Sequence, residues 1–455
     1  MKVDLDLIRK YNVPGPRYTS YPPATHFTDE VDKDALMESI RKNNETQRDL
    51  SLYYHLPFCE SLCWFCGCTT VITKDHSRSE NYLNHIYREM DLMREHLNPD
   101  RKVVQVHLGG GTPTFLQPDE LRRLGNHIRE RFQFGERVEA GAEIDPRRIT
   151  RDTIQALKDA GFNRASMGVQ DHNPEVQKAI HRIQPYEMTK QAIDWLRECD
   201  FESLNIDLIY GLPYQTVDSF EKTLEDTLKL QPDRLAVFSY AHVPWIKPAQ
   251  KILQERMELP SPETKLELLK LTIEKLTSEG YVYIGMDHFA KEDDELTVAQ
   301  RTKTLQRNFQ GYSTQEGVDI YAFGMSSISQ SQDAYWQNLK ELPDYCASVD
   351  EGKLPIQRGY ILTEEDHLRR RTIMRLMCDL ELDYANMSEL LGLDFESTYA
   401  QELDSLKNME EDGLIHKSAT GLTVTELGRL LIRNIAMRFD GYQNERKEGR
   451  FSKTI

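Results

Sequence analysis

From Leu50 onward, short apolar runs alternate with longer stretches in which apolar residues fall three and four apart. That switch of period marks strands alternating with helices. Residues 50–58 predict a first strand. Residues 81–96 predict a helix, with Leu83, Ile86, Tyr87, Met90 and Met93 on one face. Residues 103–108 predict the second strand, followed by a helix from about Pro118. Residues 138–144 predict the third, followed by a helix from about Thr150. Residues 164–169 predict the fourth, with helical chain up to Cys199. Residues 204–210 predict the fifth. The helix after it starts near Thr216 and spaces Phe220, Leu224 and Leu228 four apart. Residues 234–240 predict the sixth. Six βα units in succession imply a parallel α/β sheet with right-handed crossovers. Six rather than eight points to an incomplete (β/α)6 TIM-type barrel, although a doubly wound open sheet has the same alternation. In both, ligands bind at the carboxyl ends of the strands.

The flanks differ. Residues 1–47 show little periodicity, and Pro14-Gly-Pro-Arg-Tyr-Thr-Ser-Tyr-Pro-Pro23 reads as an extended, proline-pinned segment. After the sixth strand come a helical pattern over 261–278, a strand-like run at 281–285 and a polar linker. From Thr363 helical segments run to Glu411, and residues 413–425 predict a hairpin before a final helix. The expected organisation is an N-terminal arm over the active site (1–47), the barrel (48–290), a linker and barrel-covering segment (291–362) and a mostly helical, winged-helix-like domain (363–455). Winged-helix modules often bind DNA. Here residues 379–412 hold eleven acids and a single lysine, Lys407, which favours a packing or lid role.

Composition narrows the class. The chain has 455 residues, room for roughly three domains, so no disulfide staples are needed to complete a core. Its formal charge of −17 disfavours general binding to a phosphate backbone. Acids at positions 4 and 6 and no early apolar run argue against a secretory signal, and no stretch is long enough for a membrane span. A cytoplasmic protein with no nucleic-acid partner and no membrane span is expected.

Four of the seven cysteines lie within ten residues: Cys59-Glu-Ser-Leu-Cys63-Trp-Phe-Cys66-Gly-Cys68. Isolated cysteines in such a chain are usually small buried hydrophobes, which suits Cys199, Cys346 and Cys378. The clustered four directly follow the first strand. Zinc sites usually join two close pairs across a longer loop, and no distant C-x-x-C exists here. C-x₃-C-x₂-C instead suits three irons of a [4Fe–4S] cluster, with Trp64 and Phe65 as shields and the fourth iron open to a ligand's amine and carboxylate. A zinc knuckle or redox-sensing thiols is the competing interpretation. Gly109-Gly-Gly-Thr-Pro-Thr114 ends the second strand, where glycine lets backbone approach a ligand. It has no Lys and no Walker spacing. Glu143, Gln170, Asp207 and Ala241 lie at or near ends of predicted strands, on what would be one rim.

The cysteine loop after the first strand resembles that of the radical S-adenosylmethionine (SAM) superfamily. Gly15-Pro-Arg-Tyr-Thr-Ser-Tyr-Pro22, His55-Leu-Pro-Phe-Cys59, Gly109 to Thr114, Ser166-Met-Gly-Val-Gln-Asp171, Asp207-Leu-Ile-Tyr-Gly-Leu-Pro213, Gly285-Met-Asp-His-Phe-Ala290 and Asn308-Phe-Gln-Gly-Tyr312 together resemble the oxygen-independent coproporphyrinogen III oxidases. The likeness covers nearly the whole chain. Pro23 and Trp64 depart from the family's usual Thr and Tyr. The resemblance implies Cys59, Cys63 and Cys66 as cluster ligands, with Cys68 adjacent but not ligating. It implies one SAM near Tyr53, Gly110, Glu143 and Ile328. It implies a second near Phe65, Gly111, Thr112, Gln170, Arg182, Asp207 and Ala241. Gln310 would contact cofactor or substrate, and Arg17, Tyr18 and Tyr21 would lie on the arm over the barrel mouth.

The implied reaction is oxidative decarboxylation of the ring A and B propionates of coproporphyrinogen III to vinyl groups, giving protoporphyrinogen IX. A 5′-deoxyadenosyl radical would abstract the propionate hydrogen. A flavodoxin- or ferredoxin-type donor, an unidentified electron acceptor and a monomeric state complete the expectation. A haem chaperone on the same barrel is the main alternative. A haem-degrading methyltransferase and a DNA regulator using the winged-helix-like module are others.

Overall fold

The computed structural model of the protein describes residues 2–443. Met1 and residues 444–455 of the expected C-terminal domain lie outside the described residues. The chain divides into two compact units, each discontinuous in sequence. One, the barrel unit, comprises residues 27–260 and 317–361. The other, the terminal unit, comprises 2–26, 261–316 and 362–443.

In the barrel unit the six expected strands are present: β1 (Leu50–Leu56), β2 (Lys102–Gly110), β3 (Gln133–Ile144), β4 (Arg164–Gln170), β5 (Ser203–Tyr210) and β6 (Arg234–Ser239). They pair in chain order and all in parallel. Four further strands extend the sheet beyond β1. β7 (Asp319–Phe323) is parallel to β1, and β8 (Ile328–Gln330), β9 (Ala334–Asn338) and β10 (Ile356–Ile361) follow antiparallel. All four lie within residues 291–362, the stretch expected as a linker and barrel-covering segment. These strands are short, and β7 and β9 are buried at every position, so no period of two marks those two. Among the described residues, β6 and β10, the outermost members of this series within the barrel unit, are not paired with each other, as in an incomplete barrel.

The crossover helices are α1 (Ser77–Arg94), α2 (Pro118–Arg131), α3 (Arg151–Asp159), α4 (Tyr186–Glu198) and α5 (Val217–Lys229). Thr150 and Thr216 start α3 and α5 with capping boxes, each hydroxyl accepting from the backbone N–H of the third helical residue, Thr153 or Ser219. Ile154, Leu157, Phe220 and Leu224 are buried on the inward stripes. One face of the sheet is apolar and packs these helices: Leu52, Tyr54, Val106, Leu108, Met167, Ile206 and Leu208 are all buried. The alternate positions on the other face carry Tyr53, His107, Glu143, Ser166 and Asp207 and are only half-buried. A strand's period of two thus separates a core face from a polar face.

Two helices stand where residues 1–47 were expected to be irregular. Leu5–Tyr11 belongs to the terminal unit and Lys33–Asn43 to the barrel unit, and each is started by an aspartate, Asp4 or Asp32, accepting two backbone N–H bonds. In the terminal unit, Pro262–Ser278 is helical and Tyr281–Gly285 forms a hairpin with His288–Lys291. The C-terminal segment has a helix, Glu364–Asp379, and a three-stranded sheet in which Gly421–Val424 pairs with Glu381–Asp383 and Ile415–Lys417. This arrangement is winged-helix-like, as expected. Among the described residues no helix is long and apolar enough to cross a membrane.

Candidate active site

The cysteine loop leaves β1 at its carboxyl end and is held from several sides. Trp64 and Phe65 pack on a buried cluster of Val176, Ile180, Leu212, Tyr240 and Leu253. Trp64 also donates its backbone N–H to the Ile180 carbonyl at 3.0 Å and stacks on His181, ring centroids 5.1 Å apart. His181 Nδ1 lies 2.8 Å from the Leu62 carbonyl. From the loop after β6, Gln250 Nε2 donates to the Phe65 carbonyl (2.9 Å) and Lys247 Nζ to the Cys68 carbonyl (2.8 Å). The shields expected from sequence are thus the loop's apolar anchors.

Each of the three expected ligand sulfurs meets a hydrogen-bonding group. Cys59 Sγ lies 3.2 Å from Thr112 Oγ1. Arg147 and Arg182 direct guanidinium N–H groups at Cys63 Sγ, at 3.6 and 3.7 Å. The Cys68 backbone N–H donates to Cys66 Sγ at 3.4 Å. A hydrogen bond from the Cys68 thiol brings Cys66 down to about 6 and pushes Cys68 well up. Burial raises the Cys59 thiol to about 11. Among the described residues no three His, Cys, Asp or Glu side chains converge closely enough to hold a single metal ion. Three thiolates of a [4Fe–4S] cluster bind separate irons and need not converge on one point. Thiolates are soft ligands for such iron, and donors aimed at their sulfurs offset the charge a bound cluster brings. The residues fit the cluster.

The glycine turn forms a cradle next to the loop. Gly111 and Thr112 donate backbone N–H groups to the Leu56 and Phe58 carbonyls at 2.8 and 2.9 Å. A Cβ on Gly110 would come within 2.6 Å of the His55 ring, and Gly110 has φ +110°. Only glycine satisfies both constraints. Gly110 N–H donates to Glu143 Oε2 at 3.2 Å. Glu143 also lies 3.5 Å from His107, which stacks on Tyr53. Tyr53 Oη lies 3.2 Å from His55 Nδ1. Tyr53, Gly110 and Glu143 are therefore brought together.

A second group surrounds Arg182. It pairs with Asp145 at 3.3 Å and donates to the Gly168 carbonyl at 2.7 Å. Burial alone would raise Asp145, but Arg182 and Arg147 bring it down to about 2. Gln170 ends β4 with φ 70°, and its buried Oε1 has no hydrogen-bond partner, a vacancy for a donor on a ligand. Asp207 sits opposite Gly168, accepts from Asn205 (2.7 Å) and Ser166 (3.3 Å), and is raised by burial to about 7. Ala241 lies two residues beyond β6, and Ile328 begins β8. Arg17, Tyr18, Tyr21 and Gln310 belong to the terminal unit. There Arg17 pairs with Asp287, Tyr18 donates to Asp440 at 2.9 Å, and Tyr21 Oη accepts from Gly441 N–H at 2.9 Å. Asp145, Arg147, His107 and Asn205 were not singled out from sequence, and Ser166 only as the start of a quoted motif. The polar positions among them on the alternate face of the strands carried a readable signal.

Comparisons with known proteins decide the family. Residues 53–227 match the Radical SAM superfamily and residues 362–431 the HemN C-terminal domain. The oxygen-independent coproporphyrinogen III oxidase of Escherichia coli is 46% identical, covering 99% of this chain and 98% of its own length. This chain belongs to the oxygen-independent coproporphyrinogen III oxidase family. The Synechocystis member is 45% identical over 99% of this chain and 97% of its own length. The solved structure described as coproporphyrinogen III oxidase (HemN) from Escherichia coli, a radical SAM enzyme, superposes with a TM-score of 0.91 at 44% identity, over 97% of this chain and 99% of that one. Family membership makes the chain an oxidoreductase of the radical SAM class that uses a [4Fe–4S] cluster and SAM. It also resolves the open choice of architecture in favour of the incomplete barrel.

Proposed function

We propose that this chain converts the ring A and B propionates of coproporphyrinogen III to vinyl groups without oxygen, in haem biosynthesis in the cytoplasm. The observation that carries the reading is the end-to-end likeness to oxidases of this name, with the C-x₃-C-x₂-C loop and a polar strand face intact. When bound, cluster and SAM supply one-electron cleavage of the SAM C5′–S bond and so the hydrogen-abstracting radical.

The protein's own residues hold, orient and shield. Cys59, Cys63 and Cys66 hold the cluster, while Arg147 and Arg182 offset its charge at Cys63. Tyr53, Gly110, Glu143 and Ile328 hold the first SAM. Glu143, already accepting from Gly110 N–H, is suited to a cationic amine. Phe65, Gly111, Thr112, Gln170, Arg182, Asp207 and Ala241 hold a second SAM. The orphan Gln170 Oε1 and the Asp207 carboxyl are suited to hydroxyl or amine donors. Cys68, Arg17, Tyr18 and Tyr21 serve the reaction, and Gln310 contacts cofactor or substrate. A flavodoxin- or ferredoxin-type protein supplies electrons to a monomeric enzyme, and a separate acceptor takes the electron left on the substrate.

The test is anaerobic. Protein reconstituted with iron and sulfide is reduced and given SAM and coproporphyrinogen III, and 5′-deoxyadenosine and tetrapyrrole are quantified together. Deoxyadenosine with a tetrapyrrole lighter by two CO₂ is expected. Deoxyadenosine with unchanged tetrapyrrole would remove this substrate, and an intact cluster yielding neither would return the haem-chaperone reading.

A further inference from the structure

Arg307 lies in a short hairpin of the terminal unit, Gln306–Asn308 paired with Gly311–Ser313, with Gln310 in its turn. It is 5% exposed. Among the described residues it has no carboxylate partner. Its Nε donates to the Arg17 carbonyl at 3.2 Å, and its guanidinium lies over the Tyr312 ring, 4.8 Å from the centroid. Tyr312 is itself fixed by donating to the Met377 carbonyl at 3.1 Å. These contacts lock the guanidinium plane while Nη1 is buried without a hydrogen-bond partner. In the same hairpin, Gln310 Nε2 is also buried and unpartnered. Both orphans are donors, so the ligand they lack is an acceptor.

The surroundings point to an anion. Arg17 is paired with Asp287. Arg433 is buried and donates to the Pro16 and Gly15 carbonyls. Burial, with Arg17 and Arg307 nearby, lowers it to about 9. A buried cation without a counter-charge is costly. A planar guanidinium fixed by stacking is matched to the two oxygens of a carboxylate. A purely structural Arg307, serving only to tie down Arg17, would need its Nε bond and not an empty buried Nη1.

We propose that Arg307, with Gln310 beside it, is a carboxylate-binding subsite that holds one propionate of the substrate tetrapyrrole. This rests on the reading that the chain acts on coproporphyrinogen III. It adds a specificity device, because a tetrapyrrole lacking that carboxylate would leave the two donors buried and unpaired.

The experiment uses the full-length, cluster-loaded protein under anaerobic conditions. Arg307→Gln and Arg307→Lys are compared with wild type for binding of coproporphyrin III and its tetramethyl ester by fluorescence, for SAM binding, and for the KM and kcat of coproporphyrinogen conversion. Loss of a charge-assisted bond predicts that Arg307→Gln raises the Kd for the tetra-acid and the KM by about tenfold or more. SAM binding and ester binding stay near wild type, and Arg307→Lys falls between. A thermal melt checks folding, and if Arg307→Gln does not fold, Arg307→Lys carries the same comparison. Equal weakening of acid and ester, or no change in acid binding, overturns the subsite. A wild type that cleaves SAM without converting coproporphyrinogen overturns the substrate reading instead, whatever the variants do.

Discussion

Gly110 couples backbone geometry to the site most tightly. Its φ is +110°, and an added Cβ would meet the His55 ring at 2.6 Å. Gly110→Ala therefore combines a strained conformation with a clash, each worth about 1–3 kcal/mol. The cluster-free protein should lose about 3 kcal/mol of unfolding free energy, and SAM binding to the reconstituted protein should weaken at least in proportion. A variant as stable as wild type in a denaturant titration would show that the turn relaxes freely. Asp145 is a second case. It is the shared counter-ion of Arg147 and Arg182, which reach on to Cys63. Removing one member of a buried ionic group costs about 3–5 kcal/mol, because the partner charge is stranded. Asp145→Asn should approach that loss, and Arg147→Gln in the same background should restore part of it. Additive losses in that double-mutant cycle would contradict the shared role. The cysteines were legible from sequence because three soft ligands at fixed spacing have few other uses. Asp145 and Arg147 were not, since a single Asp-Pro-Arg after a strand also reads as a plain helix start. Arg307 was hidden among the chain's many ordinary surface arginines.

At the scale of elements, α1 carries a buried carboxylate that the sequence pattern places on an apolar stripe. Glu89 accepts from Gly324 N–H (2.8 Å), Tyr345 Oη (2.6 Å) and Asn338 Nδ2 (2.6 Å), tying α1 to the chain around β7–β9. Burial outweighs these donors and raises its pKa from 4.5 to about 7. The folded state thus holds a proton that the unfolded chain releases. The stability this group contributes is complete below about pH 4.5 and is lost as pH rises through about 7, by roughly 3 kcal/mol in total. Glu89→Gln cannot titrate. Unfolding free energies of the cluster-free protein at pH 5 and pH 8 should fall more steeply in wild type than in the variant, by about that amount. Parallel pH profiles would assign the buried proton elsewhere. The βα alternation was legible because each unit repeats one strand period and one helix period. β7 and β9 were not, because a strand buried on both faces has no polar phase to read, while β8 is only three residues long and β10 has no strict alternation of burial. The two early helices rest on aspartate caps followed by stretches of seven and eleven residues, which a search for long periodicity passes over.

At the scale of the whole molecule, the division into units could not be drawn as a line along the sequence. The terminal unit gathers three separated segments, and only long-range packing joins them. Net charge, in contrast, is fully legible, and it sets an opposition. The chain carries −17 and its substrate four carboxylates, so the long-range field slows their encounter while fixed arginines favour the bound state. Salt acts on these two contributions differently. Raising ionic strength from about 10 to 150 mM shortens the Debye length from about 30 to 8 Å and screens the distant repulsion. A buried guanidinium–carboxylate contact is screened far less. The apparent kcat/KM for coproporphyrinogen should therefore rise over that range rather than fall. Arg307→Gln should lower the whole curve without changing its slope, because it removes a short-range contact and leaves the distant field almost intact. A kcat/KM that falls steadily with salt would mean that local cations dominate the approach as well. A flattened slope in Arg307→Gln would then place Arg307 in that steering field rather than in a closed subsite.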